Sequence, residues 1–278
     1  MTATDRHNFD LAIALQGTAE EGLYLGQTSA AYWNMVGPFG GITAATLLQA
    51  VLKHPHCLGT PLSLTVNYAS AIVEGPFQVR ATALRTNRST QHWLVLLTQA
   101  DEQGEQQVTT SATVVTAARR ETWGATDTPQ PQVNRPVDVL PMTASPSGVA
   151  WFKQYELRPV SGAFPQQWDG SGDHSRSQLW VRDQPERALD FPALAALSDL
   201  FYPRIWLRRA TPVPAGTVSI TTYFHVDAEQ LARVGTGYLL GDAHAQTFRN
   251  GFFDQVAHLW SEAGELIATS NQVVYYKQ

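Results

Sequence analysis

Between Ile42 and Lys53 the chain offers a helix with almost no polar face: Ala44, Ala45, Leu47, Leu48, Ala50, Val51 and Leu52 carry apolar side chains nearly all the way round. A helix of this kind holds in water only if other elements cover it on most sides, as a sheet does when it wraps one. The segments C-terminal to it suit that task. Leu62–Tyr68, Phe77–Leu84, Gln91–Gln99 and Gln107–Thr116 are strand-like runs, and Asp101–Glu105 is the turn of a hairpin. The prediction is one buried helix inside an antiparallel meander.

The same order then recurs. Phe9–Ile13 and Gly22–Gly26 precede the first helix as a strand pair, with Gly37-Pro38-Phe39-Gly40-Gly41 as a backbone-permissive helix start. In the second half, Trp151–Arg158 and Ser177–Arg182 form the strand pair. A helical segment comes next, from Asp190 through Asp199 to Tyr202-Pro203. Four strands close the unit at Val218–His225, Gly237–Gln246, Phe252–Ser261 and Leu266–Tyr276. Pro129, Pro131, Pro136, Pro141 and Pro146 mark the stretch between as a linker laid over the surface. The expected organisation is therefore an N-terminal unit over 1–118, a Pro-rich linker over 119–148 and a C-terminal unit over 149–278. A sheet wrapped round a helix leaves an open edge, and two such units paired edge to edge close it. The fold class is α+β, with two tandem repeats.

Composition narrows the function. At 44% hydrophobic and 15% charged residues the 278-residue chain is globular, and its net charge of -5 argues against nucleic acid as a partner. A single cysteine, Cys57, precludes an intrachain disulfide and fits a reducing compartment. Met1–Asn8 has neither a basic nor an apolar run, so no secretory signal is expected. No apolar stretch is long enough to span a bilayer. The expected setting is cytoplasmic, without membrane partners. His54-Pro55-His56-Cys57 suits a helix C-terminus better than a metal, and no complete zinc spacing exists elsewhere. Gly235-Thr236-Gly237 lacks the further glycine of a dinucleotide loop, and Gly170-Ser171-Gly172 is not a nucleophile elbow. Neither metal nor cofactor is expected.

One residue stands out against the apolar background. Asp199, in Leu197-Ser198-Asp199-Leu200-Phe201, puts a carboxylate inside an apolar segment, where an ionised group needs partners or a chemical purpose. Its bland reading is a structural pair with Arg204 or Arg208. Thr217 and Gln272 lie on later strands from which either could face that segment.

Taken together, the Gly37–Gly41 helix start, the Leu84–Ser89 turn, the Ser177–Arg182 strand and the order Asp199, Thr217, Gln272 resemble the acyl-CoA thioesterase II family of double hotdog proteins. The resemblance covers most of the chain outside the linker. It implies a double hotdog fold, an acyl-CoA substrate, a homo-oligomer of double-hotdog chains and a catalytic trio of Asp199, Thr217 and Gln272. In such a trio the carboxylate takes a proton from water, while hydroxyl and amide hold that water at a fixed angle. Backbone N–H groups at Gly40 and Gly41 are candidates for the oxyanion, and Arg85 and Arg88 for the phosphates of CoA. Aligning the halves sets Asp199 against Thr43, Thr217 against Pro61 and Gln272 against Thr113. The first half then lacks the base, and one site per chain is expected. The alternatives are a hotdog enoyl-CoA hydratase or dehydratase, which needs an acidic residue paired with histidine, and an acyl-CoA-binding protein without activity.

Overall fold

The computed structural model describes residues 6–143 and 148–277, so Met1–Asp5 and Pro146 lie outside them. The first half runs α1 (Asn8–Ala12), β1 (Gln16–Gly17), β2 (Leu23–Gln27), α2 (Gly40–Leu52), β3 (Thr60–Tyr68), β4 (Pro76–Thr86), β5 (Thr90–Ala100) and β6 (Gln106–Ala117). The second half has β7 (Tyr155–Ser161), β8 (Ser177–Asp183), α3 (Phe191–Leu197), α4 (Arg204–Arg209), β9 (Ala215–Phe224), α5 (Ala228–Val234) and β10 (Leu239–His244). It ends with β11 (Phe248–Arg249), β12 (Phe252–Ser261) and β13 (Leu266–Tyr276). The strands form one antiparallel sheet in the order β1-β2-β4-β5-β6-β3-β9-β13-β12-β10-β8-β7, with β11 attached to β12. Each half is a helix wrapped by its own strands, and the two meet edge to edge at β3 and β9, so the double hotdog expectation holds.

The register gives this duplication a dyad. Thr65 pairs with Thr221, their hydroxyls 3.0 Å apart, and the ladders run outward alike on both sides. Leu64 pairs with Val114, which pairs with Trp93; Ile220 pairs with Gln272, which pairs with Gln255. The ladder therefore matches Gln272 to Val114, one residue from the Thr113 that aligning the halves by sequence suggests. Thr217 does match Pro61, because both halves carry a bulge at the same place: Leu62 is the extra residue in β3, and Val218 in β9.

Helix α2 is buried from Gly41 to Val51 apart from Gln49, as its apolar circumference requires. Leu47, Leu48 and Val51 have no exposed surface, each burial contributing about 1.5–3 kcal/mol. It packs on α3 closely enough that a Cβ on Gly41 would lie 2.5 Å from the Ala196 carbonyl. Only glycine permits that approach.

Three local expectations need correcting. Phe9–Ile13 is not a strand but a single helical turn: His7 Nδ1 accepts from the Phe9 N–H at 3.0 Å, and Phe9, Ala12 and Ile13 bury one helical face. The second helix is short. Asp190 caps it by accepting from the Ala193 N–H at 2.8 Å, but beyond Leu197 the N–H groups of Asp199 and Leu200 reach back only three residues, tightening the last turn. Asp199 thus lies just past α3 rather than within it. Residues 204–209 and 228–234, which carried no helical expectation, form α4 and α5; the second has a capping box between Asp227 and Gln230.

The Pro-rich stretch covers the outer face of the second half. Val133 and Val139 pack against Trp180, Tyr238, Leu240 and Trp260, while Trp180 Nε1 donates to the Asn134 carbonyl at 2.8 Å. Among the described residues no helix is long and apolar enough to cross a membrane.

Candidate active site

Asp199 leaves the end of α3 directly in front of the N-terminus of α2. The Gly41 N–H faces its carboxylate and draws its pKa down, and a Cβ on Gly40 would come within 2.6 Å of Oδ2. A helix N-terminus favours negative charge. On its other side Gln272 Nε2 donates to Oδ1 at 2.9 Å, and Thr217 Oγ1 donates to Gln272 Oε1 at 3.3 Å. The three expected residues form one chain of hydrogen bonds, with Gln272 in the middle.

The bulge in β9 makes this possible. Ile220, Thr222 and Phe224 face the core, and unbroken alternation would turn Val218 inward and Thr217 outward. With Val218 as the extra residue, Thr217 instead stands opposite Val274, a buried residue of the inner face, while Val218 is exposed. Gln272 needs no such device, since β13 already buries Ser270, Gln272 and Val274 in alternation.

Burial dominates the electrostatics. Asp199 is 8% exposed, and loss of hydration pushes its carboxyl up to about 7, against the opposing pull of the Gln272 and Gly41 hydrogen bonds. Neither arginine of the bland reading reaches it. Arg204 donates to the carbonyls of Tyr202, Ser175 and Ala243 and to Ser177 Oγ, and Arg208 to the carbonyl of Gly172. Asp199 is a buried carboxyl held by neutral donors and poised near neutrality.

It opens onto a cavity of about 440 Å³. Thr43, Tyr68, Gln255 and the aromatic rings of Phe164, Tyr202 and Trp206 line it together with Gly40, Thr217 and Gln272. Tyr68 donates its hydroxyl to the Gly40 carbonyl at 2.8 Å, fixing the start of α2 beside the carboxyl. Arg85 and Arg88 are not brought here. Both are exposed at the β4–β5 turn, where Arg85 Nε donates to Asn87, and neither lines the cavity. His54 is buried and its imidazole pushed down by loss of hydration, which does not favour a cation at the end of α2. Among the described residues no group of three His, Cys, Asp or Glu side chains is arranged to hold a metal.

Residues 128–276 match the acyl-CoA thioesterase C-terminal domain, and residues 29–117 the acyl-CoA thioesterase N-terminal domain. The chain belongs to the acyl-CoA thioesterase family. It is a thioester hydrolase. A hotdog-fold protein of unknown function from Alicyclobacillus acidocaldarius is similar at 44% identity over 98% of this chain and 99% of its own, with a TM-score of 0.91. The acyl-CoA thioesterase II TesB2 of Mycobacterium marinum shares the fold at 18% identity, covering 97% and 98% of the two chains with a TM-score of 0.74. The dehydratase domain of the polyketide PpsC from Mycobacterium tuberculosis shares it more loosely, at 12% identity over 98% and 99% with a TM-score of 0.57. Among curated proteins, none matches the chain.

Two residues of the thioesterase cavity escape sequence reasoning. Tyr68 is the last residue of β3, where alternation no longer says which way a side chain turns. Gln255 did leave a signal: Phe253, Gln255, Ala257 and Leu259 alternate as buried positions along β12, and Gln255 is the polar one of these four.

Proposed function

We propose that this thioesterase hydrolyses an acyl-CoA to the free acid and CoA by direct attack of water, with Asp199 as the base. The observation that carries the reading is the 2.9 Å contact between Gln272 Nε2 and Asp199 Oδ1 beside the cavity. A base is most useful when its carboxyl titrates near the working pH, and burial brings Asp199 to about 7. Gln272 spends its N–H on the carboxylate and its carbonyl on Thr217, so the carboxylate is held in one orientation. With its proton committed to Gln272, the Thr217 hydroxyl still offers oxygen lone pairs that accept from the attacking water.

Water adds to the thioester carbon as Asp199 takes its proton. The tetrahedral adduct then expels the CoA thiolate, and the proton held by Asp199 passes to that sulfur. Positive dipole at the start of α2 faces the charge that develops. Gly40 serves this proposal by leaving room for the carboxyl, and Gly41 by letting α2 approach the Ala196 carbonyl. Arg85 and Arg88 have no part in it. One site per chain is the consequence, because the first half has Val114 and Pro61 at the ladder positions of Gln272 and Thr217.

The dehydratase alternative needs histidine beside the acid, and among the described residues no histidine lines the cavity. The test is release of thiol from acyl-CoAs of graded chain length by wild type and Asp199→Asn. A loss of about 10²–10⁴-fold in kcat for the variant is expected. Equal thiol release by both proteins, or hydration of an enoyl-CoA without thiol release, defeats the reading.

A further inference from the structure

Six buried side-chain polar atoms among the described residues have no hydrogen-bond partner in the protein. Five of them, on Tyr32, Thr110, Tyr155, Asp183 and Trp260, lie away from the cavity that Asp199 opens onto; Gln255 Nε2 alone lines it. Gln255 is 2% exposed, and a buried amide donor left unpaired costs about 1–3 kcal/mol. A strand position that carries such a cost, where leucine or valine would pack, calls for a compensating purpose.

The duplication shows what the fold alone asks for at this place. Counting outward from the dyad, Gln272 and Gln255 occupy the ladder positions that Val114 and Trp93 occupy in the first half. There the pair is a packed core: Val114 and Trp93 are each 1% exposed, and the indole N–H is satisfied by Thr116 at 3.3 Å. In the second half both positions are amides. One of them, Gln272, is consumed by Asp199 and Thr217. The other stands directly opposite it on the adjacent strand, where facing Cβ atoms are about 4.5–5.5 Å apart, with its donor uncommitted.

We propose that Gln255 binds substrate in this site, its side-chain amide donating to the carbonyl oxygen of the thioester. The inference rests on the thioesterase reading and deepens it. Water attack leaves negative charge on that oxygen, so a donor is needed there. The Gly41 N–H, a backbone candidate, faces the Asp199 carboxylate and already favours its ionised form. Gln255 lies on the face of Gln272 away from β9, so water held near Thr217 and a carbonyl held by Gln255 fall on opposite sides of the Asp199–Gln272 pair. That separation lets nucleophile and electrophile be held at once. A buried amide stabilises an oxyanion more than one in water does.

The test pairs kinetics with binding. Gln255→Met conserves volume and removes the donor; its kcat is expected to fall about 10²–10³-fold. Thermal stability should hold or rise, because the variant loses no hydrogen bond and no longer buries an unpaired one. Binding is read with two unreactive CoA analogues, an S-alkyl thioether without the carbonyl and a ketone in which methylene replaces the sulfur. Gln255→Met is expected to weaken the ketone about tenfold or more and to leave the thioether unchanged. Equal affinities of both proteins for the ketone, equal weakening of both analogues, or a kcat within twofold of wild type overturns the assignment. Thiol release that is abolished in Asp199→Asn but intact in Gln255→Met sinks this inference alone. Thiol release absent from wild type sinks the reading beneath it.

Discussion

Gln272 on the last strand donates to Asp199, 73 residues earlier, at 2.9 Å, and by doing so ties the end of a short helix to the inner face of the sheet. Among the described residues the carboxyl has no cationic partner, so its ionisation is governed by burial, opposed by the Gln272 amide and the Gly41 N–H.

That balance sets a pH dependence. A base acts when ionised, so kcat/KM should rise with pH through an apparent pKa of about 7 and level off above it. Stability moves the other way. The folded carboxyl binds its proton more tightly than the unfolded one, so the native state is disfavoured as pH climbs from the ordinary carboxylate range through about 7. Asp199→Asn should therefore stabilise the protein at pH 8, by a few kcal/mol on the order set by such a shift, and change little at pH 4. Urea unfolding at the two pH values checks it.

Removing the middle of the relay should be visible in the same profile. The Gln272 hydrogen bond pulls the Asp199 carboxyl down, so Gln272→Leu should move the kinetic pKa above that of wild type as well as lowering the plateau rate about 10²-fold. Thr217→Val leaves that hydrogen bond to Asp199 in place, so the plateau should fall with the pKa nearly unmoved. Full pH–rate curves for the two variants separate these effects.

Much of this was legible in the chain. An all-round apolar helix followed by four strands, twice, requires a sheet wrapped round a helix, and β12 and β13 begin and end at the expected residues. Asp199 and Gln272 declare themselves as polar residues on buried faces. Thr217 does not: its inward aim depends on the bulge at Val218, and alternation alone points it to solvent. The helix at Phe9 escaped because one turn is too short to separate a helical period from an alternating one. Residues 204–209 escaped because their helix is held by tertiary contacts of Arg204 that no local pattern announces.

Gly40 is a direct test of crowding at the carboxyl. Alanine is the better helix former, and the local backbone does not require a positive φ there, so propensity alone favours Gly40→Ala. A Cβ would nonetheless sit 2.6 Å from Asp199 Oδ2 and 3.2 Å from the Tyr68 hydroxyl oxygen. The carboxyl must swing away from Gln272 to avoid it. Expected are a folded protein with a thermal midpoint close to wild type and a kcat lowered about 10²-fold, since a displacement of about 1 Å has that effect on a positioned group. Wild-type kcat in this variant would mean that the geometry around Oδ2 is slack.

Arg204 is the counterweight to Asp199: a fully buried guanidinium with no carboxylate partner among the described residues, whose pKa burial pushes down to about 10. Its donors gather the carbonyls of Tyr202, Ser175 and Ala243 and the hydroxyl of Ser177, joining α4 to β8 and β10. Arg204→Met fills a similar volume yet leaves those carbonyls buried and unpaired, at about 1–3 kcal/mol each. The expected loss is about 3 kcal/mol or more, lowering the thermal midpoint by roughly 6–12 °C for a chain of this size. Tyr202 and Trp206, which flank Arg204, line the cavity, so KM should rise as that wall loosens. Arg204 bonds none of Asp199, Gln272 and Thr217, and kcat measured well below the midpoint should stay within about threefold of wild type. Lysine should not rescue the variant, because a single ammonium cannot present the forked, planar set of donors that reaches Tyr202 on one side and Ser175 and Ala243 on the other.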